Sequence, residues 1–265
     1  MTRILIHAGF YKTGTSSVQA FLAQNRSALA PYFDFYGPGD IGNSGQYARE
    51  YAQRPFPWRL YRFRRALRRF LAGIPDPASG TVVISRENYT GVMPGHRDWR
   101  GRPVIGFPAA EKLLATLLGE LRHRFGPEAQ IEFLFTTRTR ESWLKSVHGH
   151  LLRSIRLTDD LDTFIARFPA GFSPAAEVAR LARVFAPIPV HATTLDELMK
   201  RREGPAAAVL DIARVPQALR DSLPDPRPVN IGQSDELRAR FLELNRSRLS
   251  RAALKAEKEA LLRNS

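Results

Sequence analysis

The chain has 265 residues, 43% hydrophobic and 25% charged, enough for a substantial buried core in one α/β domain spanning 1–265. It contains no cysteine, which excludes disulfides, thiolate nucleophiles and Cys-based zinc sites, and no apolar run approaches the ~20 residues that span a bilayer. Its net charge of +14 comes from 40 basic against 26 acidic residues, only six of the basic ones lysine. Such an arginine excess suits anionic partners, although a bias toward arginine, alanine and proline contributes to it.

The first strand is expected at Ile4–His7. Its apolar run is too short for a signal peptide, and a cytoplasmic location is expected. A turn with Gly9, Lys12 and Gly14 follows, and then a Thr15-Ser16-Ser17 cluster opens an apolar helix over 15–29. Strand, glycine turn and helix N-terminus together make an anion site: the first helical N–H groups lack partners, and the helix dipole favours negative charge there. Lys12 adds a point charge. The standard nucleotide loop is absent, because it needs glycine directly before the lysine and Tyr11 stands there.

Further strands are expected at Tyr32–Tyr36 (a weak, edge-type signal), Val82–Ser85, Ile131–Thr136 and Ile188–His191. The helices expected between and after them cover 58–72, 108–125, 140–155, 159–167, 175–185 and 235–262, with loops at 37–45, 73–80, 91–108 and 221–233. Strands separated by helices imply crossovers, hence a central parallel sheet flanked by helices. The helix at 58–72 carries Arg62, Arg64, Arg65, Arg68 and Arg69 on one face, with no acidic residue between 51 and 75. That face reads either as a docking surface for a polyanion or as ordinary solvated surface; no nucleic-acid motif accompanies it.

Three clusters fall at or just after strand ends. Lys12-Thr13-Gly14-Thr15-Ser16-Ser17 follows the first strand. Ser85-Arg86-Glu87-Asn88 ends the Val82 strand. Arg138 ends the Ile131 strand, with Ser146 eight residues later, about two helical turns on. In open α/β sheets that edge is where ligands bind. The combination resembles the sulfotransferases that use 3′-phosphoadenosine 5′-phosphosulfate (PAPS), over residues 3–30, about 81–90 and 131–150. The resemblance implies a P-loop NTPase-like fold and transfer of a sulfuryl group to an acceptor hydroxyl on a carbohydrate or glycolipid, a small-molecule or glycan acceptor that the arginine excess would let be anionic. Lys12, Thr13, Gly14, Thr15, Ser16 and Ser17 would hold the 5′-phosphosulfate, and Arg138 and Ser146 the 3′-phosphate. The aromatic residue common after that serine is Val147 here. No metal is implied.

Proton removal from the acceptor needs a base, and Glu87 is expected to supply it; a structural salt bridge to Arg86 is the competing reading. His7 is the alternative base. A weaker match, Val229-Asn230-Ile231-Gly232-Gln233-Ser234 with Asn245 beyond, resembles a late N-x-x-x-S segment of bacterial sulfotransferase-like proteins, but Ser234 reads equally as a helix N-cap. His148 and His150, two apart on a helix, point to different faces and make a poor metal pair. Two readings of other classes remain. A nucleotide-dependent kinase would need a magnesium ligand, which is not evident, and a non-catalytic polyanion-binding module would leave the pairing of Lys12 with Arg138 and Ser146 without a purpose.

Overall fold

The computed structural model of the chain describes residues 2–226 and 233–263. β1 (Arg3–His7) runs into α1 (Thr15–Gln24) and α2 (Arg26–Leu29). β2 (Asp34–Tyr36) precedes α3 (Ser44–Gln53) and α4 (Pro57–Ala72). β3 (Thr81–Ser85) passes through a 3₁₀ turn at Glu87–Thr90 to α5 (Ala110–Phe125). β4 (Gln130–Thr137) leads to α6 (Arg140–Ser154), α7 (Leu161–Ala166) and α8 (Pro174–Phe185). β5 (Val190–Thr194) leads to α9 (Leu195–Leu198), α10 (Ala207–Ile212) and α11 (Gln217–Ser222), and α12 (Asp235–Arg246) and α13 (Arg251–Arg263) close the described chain.

The five strands form one parallel sheet in the order β2-β3-β1-β4-β5. β1 lies at its centre, with Ile6 level with Ile84 of β3 on one side and Phe133 of β4 on the other. Alternate residues of these strands point to opposite faces, and both faces are apolar, as a covered parallel sheet requires. Ile4, Ile6, Val82, Ile84, Phe133 and Phe135 pack under the helices α3–α8 and α12. Leu5, Val83 and Leu134 pack under α1, α2, α9 and α10. The chain goes from β1 out to β2, returns to β3 and then crosses to β4 on the far side of β1. The carboxyl end of β1 is therefore a switch point, where neighbouring crossovers diverge and leave a crevice.

Some expectations need correction. α3 lies in what reads as loop and unassigned sequence. It is short and polar, and it buries Ser44, Gly45 and Ala48 rather than an apolar stripe. The terminal helix expected over 235–262 is two helices. The chain breaks after Arg246, where Arg156 donates to the carbonyls of Ser247 and Leu249, and α13 folds back to bury Leu254 and Lys258. Lys258 Nζ donates to the carbonyls of Leu152 (2.6 Å) and Ile155 (2.8 Å), at the end of α6.

Part of the arginine face of α4 has counter-charges from outside the helix: Arg64 and Arg68 both grip Glu120 of α5, and Arg62 meets Glu50 and lies over the Tyr47 ring, while Arg65 and Arg69 are exposed and have no ion pair among the described residues. No helix among the described residues is long and apolar enough to cross a membrane.

Candidate functional site

The segment between β1 and α1 is held in shape by its own side chains. Thr13 is fully buried; its hydroxyl donates to the carbonyl of Phe10 (2.8 Å) and accepts from Thr136 of β4 (3.0 Å). Thr15 reaches the same carbonyl at 3.3 Å, and Thr90 donates to the carbonyl of Gly9 at 3.2 Å. From the other side the Trp143 indole of α6 donates to the carbonyl of Tyr11 (2.9 Å), and the Tyr11 hydroxyl to that of Gly91 (3.0 Å). The result is a rigid loop with left-handed backbone at Gly9 (φ 51°), Lys12 (φ 67°) and Gly14 (φ 92°). At Gly9 only glycine fits, since a Cβ there would lie 2.6 Å from Thr15 Oγ1. At Lys12 a side-chain-bearing residue holds a conformation usually left to glycine, the kind of stored strain that collects at binding loops.

Gly14 caps α1 without any side-chain hydrogen bond, so the helix opens with bare N–H groups at Thr15 and Ser16. This end faces a cavity of about 1160 Å³ at the carboxyl edge of the sheet. Lys12, Gly14, Thr15, Ser16 and Ser17 line it from the loop and α1, Glu87 from the turn after β3, Arg138 from just after β4, and Ser146 from the middle of α6. The expected site residues thus converge on one space, with two exceptions.

Thr13 is behind the wall, its hydroxyl spent inside the loop. His7 is fully enclosed beneath the loop: its Nδ1 pairs with Ser85 Oγ at 2.8 Å, Nε2 has no partner, and burial pushes its pKa down to about 4. Burial favours the neutral imidazole, and His7 is not among the residues that line the cavity.

Arg138 donates to the carbonyl of Lys12 at 3.3 Å, tying the two anion-seeking segments together, while its Nε is buried and unpartnered. Burial, Arg153 and Arg138, in that order, hold the Lys12 ammonium below the usual lysine range. No carboxylate pairs with Lys12 or Arg138 among the described residues, so an anionic ligand would relieve an excess of positive charge. Glu87 Oε2 accepts from Gln19 of α1 at 3.1 Å, and its other oxygen lies 3.8 Å from Arg86. Gln19 also reaches the Ser85 carbonyl and hydroxyl, each at 3.3 Å. The expected Arg86 contact therefore exists, but it is long and leaves the carboxylate partly open to the cavity.

Several lining residues lay outside the sequence reading. His150 and Arg153 follow Ser146 at i+4 and i+7 on one face of α6, a spacing that was there to be seen. Gln19 gave no signal, because its role depends on how α1 leans on β3. Arg49 sits on the helix the sequence did not reveal, and His96 is in an irregular segment.

Of the weaker late match, Val229, Asn230, Ile231 and Gly232 lie outside the described residues. Ser234 is the N-cap of α12, accepting from the Leu237 N–H at 3.2 Å, and Asn245 is buried and donates to the carbonyl of Leu152 at 3.0 Å. His148 and His150 do diverge: His148 is bound to the Asp159 carbonyl, and His150 faces the cavity.

No protein-family model matches the chain, and no curated protein matches it. Among solved structures it is similar to retinol dehydratase in complex with androsterone and the inactive cofactor PAP, at 13% identity and a TM-score of 0.31. The match covers 92% of this chain but 64% of that one, so the chain spans somewhat less than two thirds of the length of the structure it resembles.

Proposed function

We propose that this chain is a sulfotransferase that moves a sulfuryl group from PAPS to an acceptor hydroxyl, with a carbohydrate or other small molecule as acceptor. One observation carries the reading. Two anion grips 126 residues apart in sequence, Lys12 with the α1 N-terminus and Arg138 with Ser146, face the same cavity and touch each other through the Lys12 carbonyl. A ligand with anionic groups at two separate places fits that arrangement. The orphaned Arg138 Nε and the uncapped helix end are polar groups in want of such a partner.

PAPS, when bound, supplies the activated sulfuryl group, whose bond to the 5′-phosphate oxygen breaks as its bond to the acceptor oxygen forms. This chain's residues position and neutralise. Lys12 and the N–H groups of Thr15 and Ser16 would hold charge at the 5′ end, and Lys12 would neutralise the charge that grows on the departing phosphate. Arg138 and Ser146 would hold the 3′-phosphate. Glu87 Oε1, not engaged by Gln19, takes the proton of the acceptor hydroxyl. Arg86 Nη1 lies 3.8 Å from that oxygen.

The deciding experiment is a thermal shift with adenosine 3′,5′-bisphosphate against ADP and magnesium-ATP. At about 100-fold its dissociation constant a ligand stabilises by about 2.7 kcal/mol, roughly 5–10 °C for a chain of this size. The bisphosphate should give that shift and ADP little. Equal shifts would remove the 3′-phosphate grip, and a larger one with magnesium-ATP would favour a kinase.

A further inference from the structure

We propose that Arg49, His96, His150 and Arg153 form a second anion subsite in the same cavity, which holds an acidic group of the acceptor: a carboxylate, a sulfate ester or a phosphate ester. The inference rests on Lys12, Arg138 and Ser146 being the nucleotide grip. The four side chains come from α3, the segment after the 3₁₀ turn, and α6, and all line the cavity. They stand close enough to act on one another and on Lys12: the charges of Lys12, Arg153, His96 and Arg49 add to burial in driving the His150 pKa down to about 4, and Arg49 adds to burial in doing the same to His96.

Within the cavity this cluster lacks a counter-charge. Elsewhere several arginines are paired. Glu120 serves Arg64 and Arg68, Asp211 serves Arg201 and Arg220, Glu177 serves Arg180, and Glu132 serves Arg3 and lies against His191. Arg49 and Arg153 have no ion pair or hydrogen bond among the described residues. Of the carboxylates that line the cavity, Glu87 is engaged by Gln19 and Arg86, and Asp196 lies on α9 beside the glycine loop. Two guanidinium forks and two imidazoles with N–H donors thus converge on a space with nothing negative to bind. That is the donor set for a planar or tetrahedral oxyanion. Lys12 feels the charges of both Arg153 and Arg138, and Glu87 lines the same cavity, so an acidic group held here would share that space with the nucleotide grip.

The test is calorimetric binding to the full chain of glucuronate, glucose 6-phosphate, glucose 6-sulfate and glucose, with and without saturating adenosine 3′,5′-bisphosphate. The acidic sugars should bind about tenfold or more tighter than glucose, and in the R49Q/R153Q variant that preference should vanish. The variant should keep its affinity for the bisphosphate, and the bisphosphate should not displace the sugars. Both arginines are exposed and make no internal bonds, so the fold is retained; raising salt on the unaltered protein is an independent check and should erode the preference. Displacement by the bisphosphate, loss of bisphosphate affinity in the variant, or no preference for acidic sugars would each overturn the subsite. If the bisphosphate fails to bind while the preference persists and depends on the two arginines, sulfuryl transfer falls and the anion subsite stands. Which acidic sugar binds tightest separates carboxylate, phosphate and sulfate.

Discussion

Replacing Glu120 with alanine tests the idea that Arg64 and Arg68 of α4 serve the fold. The Glu120 side chain is 2% exposed and accepts from Arg64 Nε (2.5 Å), Arg68 Nε (2.9 Å) and Arg68 Nη2 (3.2 Å). It pins α4 to α5 on one face of the sheet. Breaking a fully buried pair costs about 3–5 kcal/mol, because it abandons a charge away from water. Here the abandoned groups are more than half exposed and can hydrate, so their share falls to the surface range of about 0–1 kcal/mol each. The expected loss is about 1–2 kcal/mol, or roughly 2–8 °C in Tm for a chain of this length.

Burial pushes the Glu120 carboxyl up, but the hydrogen bonds and charges of Arg68 and Arg64 outweigh it and hold the pKa below the usual carboxylate range. The stabilisation is therefore complete above the ordinary glutamate pKa and is lost as pH falls through the lowered one. Thermal unfolding of wild type and E120A should differ at pH 7 and converge in acid. A shift below about 1 °C at pH 7, or a gap that widens in acid, would refute the reasoning.

Other outcomes follow from the loop and the site. Gly14→Ala forces a side chain onto a left-handed residue, with its Cβ 2.8 Å from Leu195 Cδ1. It should cost about 1–2 kcal/mol of stability and abolish the bisphosphate shift, whereas Gly39→Ala, with nothing within 4 Å, should do neither. Glu87→Gln keeps the shape and the contacts of the carboxylate, so it should retain the bisphosphate shift while PAPS turnover falls by roughly 10²–10⁴-fold. His7→Gln should lower Tm more than turnover, since His7 lies under the loop and not in the cavity; a dead but fully folded H7Q protein would contradict that placement.

The sequence by itself determined most of the sheet and the edge of it on which the cavity lies. Apolar runs bounded by turns specify strands, and the alternation of strand and helix specifies parallel crossovers. β1, β3 and β4 appear within a residue of where their apolar runs predict them, and the spacings in Lys12–Ser17 and Arg138…Ser146 are local features that survive folding intact. What only the tertiary structure decided is everything that depends on one element leaning on another. Thr13 and His7 look like site residues in sequence, but the Thr13 hydroxyl is spent on the loop's own hydrogen bonds and His7 is buried against Ser85 of β3. Arg64 and Arg68 of α4 look free until Glu120, more than fifty residues away, supplies their counter-charge. Gln19 acquires Glu87, and α3 brings in Arg49, by crossover geometry alone. Hydrophobic periodicity records which face of an element is covered, but not what covers it, so the pairing of charges across elements, and with it the shape of the cavity, is written only in three dimensions.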